Sequence, residues 1–245
     1  MIKLMIHLTK LIIVTCVALL FSSCNMSFGG NAITGSGNVV SKERKVDDFT
    51  KIELKRGLDC EVKQADAFKV VVEADDNLQE GIITKVENGT LVIDSEYNNY
   101  KNVKSKTVYI YMPIVDEIET TSGSSLKTSG VIKGNNIHLK SSSGSSLKAE
   151  IESENLSLES TSGSTLTVSG KAIELSTLSS SGSTIDATNL LANNVHSQST
   201  SGSNTEVSPI LNLKAQASSG SSIEYAKVPK TISKQESSGG SVSTK

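Results

Sequence analysis

The 245-residue chain has no tryptophan, three prolines, three cysteines and 4% aromatic residues, and Arg44 and Arg56 are its only arginines. Each scarcity excludes something. Sugar-cleaving β-helix enzymes gather Asp, Arg and Lys side chains on neighbouring coils, commonly beside aromatic rings, and this sequence has little to build such a site from. A formal net charge of −2, with no basic stripe and almost no interleaved aromatics, argues against a nucleic-acid partner. Three cysteines are too few for a disulfide framework. Helical periodicity is missing from the C-terminal half. The one apolar run, Leu11 to Phe21, is too short to cross a bilayer.

What the chain has in abundance is one short phrase. Thr121-Ser122-Gly123-Ser124-Ser125-Leu126 returns at Ser142 to Leu147, Thr161 to Leu166 and Ser180 to Ile185, with looser copies around Gly202, Gly220 and Gly239. The corner glycines Gly123, Gly144, Gly163, Gly182, Gly202, Gly220 and Gly239 are 18 to 21 residues apart, a regularity that signals a solenoid. Three residues after each glycine stands Leu126, Leu147, Leu166, Ile185, Ile223 or Val242, with Thr205 the one exception. Later in each period come pairs at spacing two, Ile137/Leu139, Leu156/Leu158, Ile173/Leu175 and Leu211/Leu213. Spacing of two is a strand signature, so each period reads as one all-β coil whose inward side chains stack into ladders.

The serines fit the same geometry. Glycine permits positive φ at a corner, and small hydroxyl side chains bond backbone groups there and across coils. The rival reading is a hydroxyl-rich face that orders water or sugar.

The N-terminus carries Lys3 and Lys10 around the apolar run, then Leu20-Phe21-Ser22-Ser23-Cys24. This pattern resembles a bacterial lipoprotein signal: residues 1–23 are expected to be removed and Cys24 acylated, anchoring the protein to a membrane. Cys16 leaves with the signal and Cys24 carries lipid, so only Cys60 remains as a thiol. Residues 24–37, rich in Gly, Ser and Asn, read as a flexible tether.

The body is expected to run from 38 to 245, irregular over 38–118 and regular over 119–245. In the first part the Asn88-Gly89 pair predicts a tight hairpin. Cys60, three residues after Gly57, falls on the ladder position and reads as a small buried hydrophobe. The prolines Pro113, Pro209 and Pro229 are expected between strands.

Gly35-Ser36-Gly37-Asn38-Val39-Val40, Phe49-Thr50-Lys51-Ile52, Gly57-Leu58-Asp59-Cys60-Glu61-Val62, Val72-Glu73-Ala74-Asp75-Asp76-Asn77-Leu78 and Glu87-Asn88-Gly89-Thr90-Leu91-Val92-Ile93 follow one another in the chain. This series resembles the head GIN domain family, whose members are called putative auto-transporter adhesins and are commonly exported or lipid-anchored. The resemblance covers about Gly35 to Lys245 and implies a right-handed parallel β-solenoid, with no family catalytic residues to carry over.

No chemistry stands out beside it. Asp47/Asp48 and Asp75/Asp76 point to opposite faces as strand neighbours. His138 and His196 face solvent three coils apart, too far to share a metal ion. Asn135-Asn136 and Asn193-Asn194 read as corner residues in the left-handed region. Tyr97 and Tyr100, flanking a polar loop, are the best local candidate for a recognition surface; Tyr109 and Tyr111 read as packing. The sequence therefore predicts a non-catalytic envelope lipoprotein without cofactor, on the outer membrane, facing the periplasm or the cell surface, that acts as a binding and adhesion module for an unidentified glycan or protein ligand or as a structural module. The alternatives are a regulatory component contacting a membrane protein and, more remotely, a polysaccharide-acting enzyme. A homo-oligomer formed through a side or an end of the solenoid is compatible with the sequence.

Overall fold

The computed structural model describes Lys10 and residues 31–245. Cys24 and, Lys10 apart, the expected signal segment lie outside the described residues. Residues 32–245 form one compact unit. Its strands are β1 (Ala32–Thr34), β2 (Val39–Arg44), β3 (Lys51–Leu54), β4 (Asp59–Gln64), β5 (Lys69–Asp75), β6 (Ile82–Glu87), β7 (Thr90–Ser95), β8 (Asn99–Lys101), β9 (Lys106–Met112) and β10 (Glu117–Thr120). Five long strands follow, β11 (Ser125–Ser141), β12 (Ser146–Ser160), β13 (Thr165–Ser179), β14 (Thr184–Ser199) and β15 (Asn204–Ala217), and then β16 (Ser222–Tyr225), β17 (Thr231–Glu236) and β18 (Ser241–Thr244).

From β10 onward every pairing is parallel and joins one coil to the next, a β-solenoid with coils of about 19 residues. The residues three after the corner glycines lie in register: Leu126, Leu147, Leu166, Ile185, Thr205, Ile223, Val242. Cys60 extends this ladder on one side of Leu126 and Val108 extends it beyond Cys60. Burial pushes the Cys60 thiol's pKa far up, with Glu61 and Asp59 adding to the effect, so it behaves as an apolar side chain.

The corners share one conformation. Ser122, Ser143, Ser162, Ser181, Ser201, Ser219 and Ser238 and the glycines after them all have positive φ, the signature of a type I′ turn, and the turn closes with bonds such as Ser145 N–H to Ser142 C=O at 3.2 Å. Each glycine N–H from Gly123 to Gly220 donates to the serine carbonyl of the next corner, as in Gly144 to Ser162 at 3.1 Å. The serine after the glycine, in the six corners that have one, is buried and its hydroxyl reaches a carbonyl one coil back, as Ser164 Oγ does to Ser141 O at 2.7 Å, with Thr161 O of its own turn at 2.8 Å. An eighth corner, Arg56-Gly57, has the same backbone with Leu58 in that buried place. The backbone turn does not itself require serine.

The first part is irregular, and several details depart from the sequence reading. The stack does not follow chain order at its N-terminal end: β7, β3 and β10 lie side by side, as do β9, β4 and β11, so the first coil built is covered on one face by the second and on the other by the third. Antiparallel β6 on β7, and β5 on β9 with β2 outside it, close that end. Residues 32–37, expected in the tether, are part of the folded unit: β1 pairs with β8, and Gly37 N–H donates to Asp75 at 2.8 Å. Ile173 is 48% exposed; the inward pair of that coil is Leu175/Thr177, and in β15 it is Leu213/Ala215. Alternation alone cannot say at which residue a strand begins; the ladder hydrogen bonds decide it. Pro209 lies inside β15, opposite Ala192 and between two register shifts, the kind of irregular strand position at which proline is tolerated.

Candidate recognition trough

An open trough of about 660 Å³ lies on one face of the solenoid. One wall is the row Asn136, Asn155, Glu174; the other is His138, Ser157, Ser176, His196; between them run Ile137, Leu156 and Leu175. Two serines between two histidines in one row make the hollow. At one end lie Lys51, Asp116 and Glu117, with Lys51 and Glu117 paired at 3.2 Å. Beyond His196 a second hollow carries the face over Asn212, Lys214 and Ile232.

The asparagines build this wall in extended conformation, not in the left-handed region expected for Asn135-Asn136 and Asn193-Asn194. Their side chains form a ladder across coils: Asn155 Nδ2 donates to Asn136 Oδ1 at 3.0 Å, Asn194 to Glu174, and Asn212 to Asn194. Such a ladder fixes the wall and leaves a flat amide surface. His138 lies 3.9 Å from Glu159, and His196 contacts Gln198 at 3.1 Å. Among the described residues no group of His, Cys, Asp and Glu is arranged to hold a metal ion.

Tyr97 and Tyr100 lie elsewhere. Tyr97 packs over Gly81, where an added Cβ would come within 2.2 Å of its ring, and Tyr100 stands over the corner glycine Gly57 and donates to the Tyr97 carbonyl at 3.1 Å. Burial raises the Tyr100 hydroxyl's pKa, against the opposing effects of Ser95 and Arg56. Both rings cover the N-terminal end of the stack.

A family model described as putative auto-transporter adhesin, head GIN domain, matches residues 48–229. A crystal structure of a putative adhesin from Bacteroides fragilis superposes with a TM-score of 0.78 at 20% identity, covering 86% of this chain and 98% of that one. A putative lipid binding protein from Parabacteroides distasonis gives 0.70 at 23% identity, covering 88% and 100%. A putative adhesin from Parabacteroides merdae gives 0.70 at 16% identity, covering 87% and 99%. At these identities the likeness is one of fold. No curated protein matches the chain.

Proposed function

Since the chain belongs to the putative auto-transporter adhesin, head GIN domain, family, we propose that it is a non-catalytic binding module of the cell envelope, held to a membrane by lipid on Cys24. The observation that carries the reading is the trough: a preformed hollow crossing several coils of the stack, with one wall tied by side-chain hydrogen bonds between coils. Recognition needs such a fixed surface, whereas catalysis needs convergent acid, base or nucleophile groups. The names of the similar structures, adhesins and a lipid binding protein, point the same way.

Two measurements test it. Mass determination of the N-terminal peptide, with protease shaving of intact cells, is expected to find a lipid-modified Cys24 and a body digested from outside; an unlipidated N-terminus sinks the anchor. Glycan and protein arrays probed with the wild-type domain and with Ser157→Trp are expected to show ligands lost on filling the trough. The row already accepts large side chains at His138 and His196, so the variant is expected to fold. Identical array patterns overturn the trough as the binding surface.

A further inference from the structure

We infer that the trough takes a long linear polycation with an aliphatic body, of the polyamine class; this rests on the trough being the binding surface. The charges that line it are Asp116, Glu117 and Glu174 against Lys51, and Lys51 is engaged by Glu117. Asp116 and Glu174 are exposed, and the Asn194 amide bonded to Glu174 leaves its charge in place. The acidic groups stand at two separate places. Glu117 is in register with His138, which is followed by Ser157 and Ser176, so Glu117 and the level of Glu174 are three coil steps apart. At the strand spacing of a sheet this is about 14 Å.

Between the two acidic ends the floor is strand backbone above the inward-facing Ile137, Leu156 and Leu175, flanked by His138 and the small hydroxyls of Ser157 and Ser176, with no lysine or arginine among them. A ligand matching this layout has ammonium groups about 14 Å apart joined by methylenes that lie along the hollow. A compact dication reaches one end only. Charge at both ends selects for length as well as sign.

The test is calorimetric titration of the wild-type domain with spermine, with 1,10-diaminodecane, whose two ammonium groups are about 14 Å apart when extended, and with 1,3-diaminopropane, at low ionic strength, where surface electrostatics are least screened. The long diamine is expected to bind more tightly than the short one of equal charge by roughly fivefold, and Asp116→Asn and Glu174→Gln are each expected to weaken spermine by up to roughly fivefold, the range for exposed charge pairs. Thermal unfolding of the variants should match wild type, which keeps the comparison free of folding defects. Equal binding of the two diamines, or spermine binding indifferent to both substitutions, overturns the inference. Array ligands that are lost in Ser157→Trp while spermine fails to bind leave the trough standing and remove only the ligand class.

Discussion

Asp75 shows how one side chain closes the N-terminal end. Its carboxylate is buried and accepts N–H bonds from Gly37 at 2.8 Å and from Lys104 and Ser105 at 3.0 Å each, tying the residues before β2 to the loop before β9. Gly35 fits beside it because an added Cβ would lie 2.3 Å from the Asp75 carboxylate. Burial opposes the charge, but the three backbone donors and Lys104 outweigh it and hold the pKa below the ordinary Asp value. A carboxyl depressed in the folded state stabilises fully above its unfolded pKa, about 3.9, and loses that contribution as pH falls through the folded value. Asp75→Asn is therefore expected to cost about 1–3 kcal/mol at pH 7, the scale of a mismatched buried hydrogen-bond group. The gap between the two proteins should hold from pH 7 down to about 5 and close below about pH 4, as followed by unfolding midpoints; a gap independent of pH counts against the charge. At this scale the sequence was readable where position repeats: Cys60 announced its ladder place by its distance from Gly57. Thr205 did not, because its hydroxyl is satisfied by Ser179 at 2.7 Å and Ser199 at 2.9 Å, two residues from neighbouring coils.

Strand β17 closes the other end of the stack. Its residues at the core ladder positions are Ile232, Lys234 and Glu236, in register with Leu213, Ala215 and Ala217 of β15. Lys234 Nζ donates to the Val242 carbonyl at 3.0 Å and lies 4.8 Å from the Tyr225 ring centroid, while Glu236 accepts from the Val242 N–H. Charged side chains thus cover the last coil and blunt an edge that otherwise invites another chain. Replacing both with the residue of the coil below, Lys234→Ala with Glu236→Ala, is expected to convert a concentration-independent sedimentation profile into progressive self-association. Unchanged sedimentation up to high concentration would count against the cap. Among the elements, the Asn88-Gly89 hairpin was legible, and β6 and β7 pair around it with Asn88 and Gly89 both at positive φ. The stack order β7, β3, β10 was not, because nothing local says on which face of the first coil the second one lands. The trough was hidden for a related reason. His138, Ser157, Ser176 and His196 share one row but fall 15, 13, 13 and 14 residues after their corner glycines, so the period blurs before it reaches them.

Across the whole molecule, stability is passed from coil to neighbouring coil. The interior changes along the stack, from Leu91, Ile52, Ile118, Leu139 and Leu158 to Thr177, Ser197 and Ala215 in one ladder. In another, Thr120, Ser141, Ser160, Ser179 and Ser199 bring buried hydroxyls that satisfy one another and nearby carbonyls. Apolar burial is densest toward the N-terminal and middle coils, and the last coils hold together more by hydrogen bonds. In a nearest-neighbour array an end coil can open alone, but a middle one cannot open without exposing both its neighbours. Leu166 is fully buried between Leu147 and Ile185, whereas Val242 contacts the ladder only through Ile223. An aspartate at either place is a buried charge without a partner. Val242→Asp is expected to abolish amide-exchange protection over 231–244 and leave protection in β11 to β14 close to wild type. Leu166→Asp is expected to lower protection throughout residues 59–225, because the stack is cut in the middle. Equal, local losses from the two substitutions would mean that the coils are held independently and that the ladder does not transmit stability.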